Sequence, residues 1–146
     1  MRNLILFVHL AAAIVWMGGM SFMLFSLRPA LGALEPSQRL PLAGQVLRRF
    51  FAAVAVSIAL LLTSGAALLA GSGGHAPPGW HAMAALGVLM MLIFGHIFFA
   101  PYRRLKAAVA QADWPAAGAA MAQMTLLVKV NLALGWIAIA AVTLWR

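Results

Sequence analysis

No cysteine occurs in the 146 residues, which removes disulfides, thiolate metal ligands, iron–sulfur clusters and CxxC redox motifs together. Acids are nearly absent as well: Glu35 and Asp113 stand against ten Lys and Arg, for a formal charge of +8. Two isolated carboxylates make no acid/base pair. No Ser/His/Asp arrangement and no phosphate-cradling glycine loop accompanies them, so hydrolase and transferase chemistry lack their parts and no catalytic residue is assigned.

What the chain has instead is apolar surface. Hydrophobic residues make up 65% of it and charged residues 8%, more than a water-soluble domain of this size can hide. Four runs reach the roughly 20 residues needed to cross hydrocarbon: Leu4 to Leu27, Phe50 to Ala70, Trp80 to Ala100, and Leu126 to Trp145. The opening Met1-Arg2 followed by an apolar run looks like a signal peptide. However, the run continues to Leu27 and meets Arg28-Pro29, so it reads as a retained first helix. The expectation is an all-α, four-helix integral membrane bundle occupying residues 1–146 as one domain.

Most of the basic residues sit in two connections. Arg28, Arg39, Arg48 and Arg49 lie in the first and Arg103, Arg104 and Lys106 in the third, whereas Gly71 to Gly79 has no Lys or Arg. By the positive-inside rule the first and third connections face the cytoplasm, and both termini lie on the outer, periplasmic side of a bacterial inner membrane. Basic charge placed this way suits an anionic lipid leaflet and argues against nucleic acid. Pro29, Pro36 and Pro41 are expected to break the first connection, and Gly73, Gly74, Pro77 and Pro78 the second. The Trp114-Pro115 start and the Ala-rich sequence after it extend the fourth helix beyond its span.

Polar side chains inside a span are costly and are therefore candidates for function. His9 lies about two turns below the outer end of the first helix and His81 about one turn below that of the third, so their depths agree within roughly 5 Å. His96, Lys129 and Asn131 form a second layer near the inner ends. Two imidazoles facing one interior slot are how a helical bundle holds a b-type haem. The structural alternative for each histidine is a helix-pairing hydrogen bond; His75, in the Gly/Pro turn, reads as solvated, and Lys129 as snorkelling. Met17, Met20 and Met23, spaced by three, offer a soft ligand set for Cu(I), although a methionine stripe is also ordinary apolar filling.

The string His9-LAAAIV-Trp16-Met17-Gly18-Gly19 resembles the opening motif of the CopD-like membrane proteins, named for copper resistance. Leu27-Arg28-Pro29, His96-IFFA-Pro101-Tyr102-Arg103-Arg104, Asp113-Trp114 and Lys129-x-Asn131 are similar to that family in the same order. The resemblance implies a fold like that of the di-haem b-type cytochromes. It also implies kinship with HemJ-type protoporphyrinogen oxidases, haem proteins with a histidine at the place matching His9. It carries over His9, Trp16, His96, Arg103 and Asn131 as site or support positions. His81 enters only through its depth.

The leading expectation is haem b in an electron-transfer protein of the inner membrane, with His9 and His81 as axial ligands and Arg2 or Arg146 near the propionates. Trp16, His96 and Asn131 are counted as cofactor-binding, and a quinone or periplasmic redox protein would be its partner. The rival is copper handling through His75, His9, Met20 and Met23. A third reading is an accessory subunit of a membrane complex. Small residues at Gly65, Gly87 and Gly95 leave room for a homodimer contact.

Overall fold

A computed structural model describes residues 1–145. The chain folds as α1 (Arg2–Phe22), a π-helical turn (Met23–Leu27), α2 (Arg28–Leu31), α3 (Pro36–Ala70), α4 (Pro78–Phe99), α5 (Pro101–Ala110) and α6 (Trp114–Leu144). Four helical stretches among the described residues are long and apolar enough to cross a membrane: Arg2–Leu31, Pro36–Ala70, Pro78–Ala110 and Trp114–Leu144. Large apolar side chains such as Phe7, Ile14, Phe25 and Leu92 stand exposed along them. In water such a surface would aggregate; against lipid tails it is the ordinary exterior.

Local chemistry sets most boundaries. Pro36, Pro78 and Pro101 occupy first helical positions, where the missing N–H costs nothing. Gly73 and Gly74 take left-handed φ values of 60° and 82° in the turn after α3. Asp113 caps α6 by accepting from the Ala116 amide at 3.0 Å, worth about 1 kcal/mol. As expected from Trp114-Pro115, α6 runs unbroken for 31 residues.

The first connection differs from its expectation. Pro41 does not break it but lies inside α3, which has 35 residues and so spans about 52 Å. The one bond lost belongs to the exposed Ser37 carbonyl in the first turn, which water can satisfy. Pro29 likewise stays helical. The turn before it widens to π geometry, with the Arg28 amide bonding the Met23 carbonyl, and this absorbs the proline without ending the helix.

α1 packs chiefly along α3, and α4 along α6. Glycines make the closest approaches: a side chain at Gly79 would meet the Ala141 and Trp145 carbonyls, and one at Gly19 the Phe50 ring. One apolar core gathers Leu47, Phe51, Ile97, Tyr102, Leu105 and Met124 towards the basic end. There Phe51 stands edge-on to Tyr102 at 4.9 Å and to Phe94 at 5.5 Å. A second core, at mid-span, joins Trp16, Met20, Val54, Met90 and Leu132.

Candidate metal centre at mid-span

Ala12, Trp16 and Met20 recur every four residues and are buried at 3%, 3% and 1% exposure, which fixes the inward face of α1. His9 lies on that stripe, two turns above Trp16. Its ring enters α3 beside Gly65, where a side chain would begin 3.3 Å from the imidazole Cε1. Gly65 thus makes room for the His9 ring. His9 Nδ1 lies 2.8 Å from Ser64 Oγ, and the Ser64 hydroxyl donates its single hydrogen to the Leu60 carbonyl. The hydroxyl oxygen must therefore accept from His9, so Nδ1 carries the proton and Nε2 keeps a free lone pair.

Deeper in the bundle, methionine side chains of α1 and α4 converge on α6. The space in which a Gly135 side chain would begin is filled by the Met17 sulfur, with the Met17 methyl at 2.7 Å and the Met90 methyl at 3.2 Å. Met20 and Met91 belong to the same apolar cluster. One turn along α6, Asn131 is 2% exposed and donates from Nδ2 to the Met90 carbonyl at 3.3 Å. Its carboxamide oxygen is buried with no partner among the described residues. An orphan acceptor costs about 1–3 kcal/mol even in an ordinary protein interior.

Trp16 closes this layer on one side, edge-on to Phe94 at 6.4 Å. Among the described residues no three His, Cys, Asp or Glu side chains converge. A metal here would rest on neutral donors: thioether sulfurs, the amide oxygen and, about two turns higher, the His9 imidazole. Such a set prefers a soft monovalent ion to a hard divalent one, because no carboxylate offsets a second charge.

The remaining expected positions stay outside this cluster. His81 and His96 are exposed along α4; His81 lies roughly 200° around the helix from Gly79, which faces α6. No hydrogen bond joins His81 to His9 among the described residues. His75, Arg2, Arg103 and Lys129 are exposed. Met23 packs towards the core at the basic end, so it parts from Met20. Arg146 lies outside the described residues.

Residues 44–145 match the family model for CopD, copper resistance protein D. The chain belongs to the CopD family. No curated protein and no solved structure matches it. In this CopD chain the matched span contains Ser64, Met90, Asn131 and Gly135, while His9, Trp16, Met17 and Met20 precede it. Sequence reading missed Met90, Ser64 and Gly135. The available signal was Met90-Met91 at the middle of an apolar run, at a depth comparable to Met17, with Gly135 four residues after the one asparagine in the fourth span.

Proposed function

We propose that this CopD protein handles Cu(I) in a bacterial inner membrane, taking the ion from the outer side into the methionine layer at mid-span. The convergence of Met17 and Met90 at Gly135, beside the unpartnered Asn131 oxygen, carries the reading. Cu(I) entering hydrocarbon must exchange water for ligands that are themselves cheap to bury. Thioethers meet that requirement because they are uncharged and polarizable. His9, with Nε2 free, supports a first contact nearer the outer end. The change is one of ligands only, and the copper remains Cu(I) throughout.

Haem b in electron transfer is the second reading, favoured by one observation: a histidine with Nδ1–H held by Ser64 presents the tautomer an axial ligand needs. Its second axial ligand would be His81, which is exposed on α4, whereas His9 is hydrogen-bonded to Ser64 of α3.

The deciding experiment counts copper and iron in detergent-purified protein and titrates Cu(I) against a chromophoric chelator, alongside a dithionite-reduced visible spectrum. Roughly stoichiometric Cu(I), lost on Met17→Leu with Met90→Leu, is the expected result. A protein that ignores Cu(I) but shows reduced-state α and β bands abolished by His9→Ala would replace it with the haem reading.

A further inference from the structure

At the basic end of the bundle a groove of about 420 Å³ runs between the π-helical turn with α2, the first turns of α3 and residues 118–128 of α6. Its volume suits an organic ligand rather than a bare ion. Leu24, Leu47, Met121 and Val128 line the part nearest the span, while Arg28 and Arg39 stand at the other end. Thr125 also lines it, but its hydroxyl is committed to the Met121 carbonyl of its own helix. The two guanidinium groups are therefore the donors that remain for a ligand.

Among the described residues those guanidinium groups have no anionic partner. Of the two acids, Asp113 is engaged at the α6 cap. Glu35, one turn before Arg39, makes no ion pair with it among the described residues. Arg104, paired with Gln123 at 3.0 Å, is the one arginine with a side-chain hydrogen bond there. Arg39 is nevertheless half-buried, a position in which an uncompensated cation is disfavoured.

We propose that this groove binds an anionic phospholipid, with an acyl chain along Leu24, Leu47 and Val128 and the phosphate between Arg28 and Arg39. An apolar trough ending in two cations is the complement of an amphiphile carrying one negative charge. A zwitterionic lipid would bring its ammonium beside two guanidinium groups, and free phosphate would leave the trough uncovered. The π-helical turn and the turn after it form one wall of the site, with Met23, Leu24, Leu27, Arg28 and Pro29 all lining it. Gly118 lines the groove, and a side chain there would meet nothing within 4 Å, so the trough can be filled without touching either arginine.

The test uses the full chain, delipidated in neutral detergent. Native mass spectrometry and the unfolding midpoint are recorded with dioleoylphosphatidylglycerol, dioleoylphosphatidylcholine or inorganic phosphate. Selective retention of phosphatidylglycerol with a raised midpoint is expected. Arg28→Gln with Arg39→Gln should weaken that retention roughly tenfold or more, since each cation contributes several-fold near an anionic headgroup. Gly118→Leu should lower it with both arginines intact. Equal retention of the two lipids, or a preference that survives the double arginine change, overturns the assignment. A midpoint shift reproduced by phosphate alone would make this an ion site and also overturn it.

Discussion

Met17 of α1 and Met90 of α4 meet in the notch that Gly135 leaves on α6, so three helices that are distant in sequence share one contact at mid-span. The contact brings two thioether side chains into one apolar cluster. It also makes the smallest residue in the layer the one that decides whether the donors can meet.

Filling that notch should be costly. Gly135→Leu forces the Met17 sulfur out of its position and is expected to lower stability by about 1–3 kcal/mol, the usual cost of overpacking. Thermal unfolding in detergent measures it. Unchanged stability would mean that the helices do not approach as described.

Leucine at positions 17 and 90 conserves volume and removes sulfur. Stability should change by less than about 1.5 kcal/mol for each, while Cu(I) affinity falls about tenfold per thioether, equivalent to ~1.4 kcal/mol. Competition with a Cu(I) chelator reports the affinity. If both single variants bound like the parent, the methionine layer would be packing alone.

Asn131→Leu separates a ligand from a structural polar group. It gives up one long hydrogen bond at 3.3 Å but also removes an unpartnered buried oxygen, so the net stability change should stay within about 1 kcal/mol. Copper binding should weaken. Destabilisation well above 2 kcal/mol without any change in copper would assign the residue to helix pairing.

Ser64 fixes the His9 tautomer, and this can be read directly. In ¹⁵N spectra of histidine-labelled protein, His9 should appear with Nδ1 protonated, and Ser64→Ala should redistribute the proton between the two nitrogens. Loss of the bond should cost about 1 kcal/mol. A wild-type ring protonated at Nε2 would contradict the hydrogen-bond order Nδ1–H to Ser64 to Leu60.

Orientation can be tested against a clean background, because the chain has no cysteine. Ser72→Cys, in the connection free of Lys and Arg, should react with an impermeant maleimide in intact cells. Gln111→Cys should react only after permeabilisation. The opposite pattern would invert the proposed arrangement of termini and place the basic groove outside.

The four spans were legible in the residues because crossing hydrocarbon is a matter of length and composition, both of which a linear sequence displays. Caps and turns were legible for a similar reason: Pro36, Pro78, Gly73 and Asp113 act on their own backbone or a neighbour's. The inward face of α1 was not legible in this way, because the span is apolar all round, and it is burial of Ala12, Trp16 and Met20 that identifies it. Pro41 was misread because a proline's effect depends on where the helix begins, and in the second turn it removes a bond from a carbonyl that water can reach.

Which faces meet was a different matter. Depth along a span is counted in residues, but the rotation of one helix against another is set by close contacts such as Gly79 on Ala141 and Gly19 on Phe50. Equal depth therefore assigns His9 and His81 to one layer but carries no information on which way either ring turns. Packing gave His9 to Ser64 and left His81 exposed on α4. The sequence determined a four-span membrane helix bundle with basic connections. Only the tertiary structure decided that Met17, Met90 and Asn131 share its interior, because apolar spans carry many equivalent faces and interhelical packing selects among them.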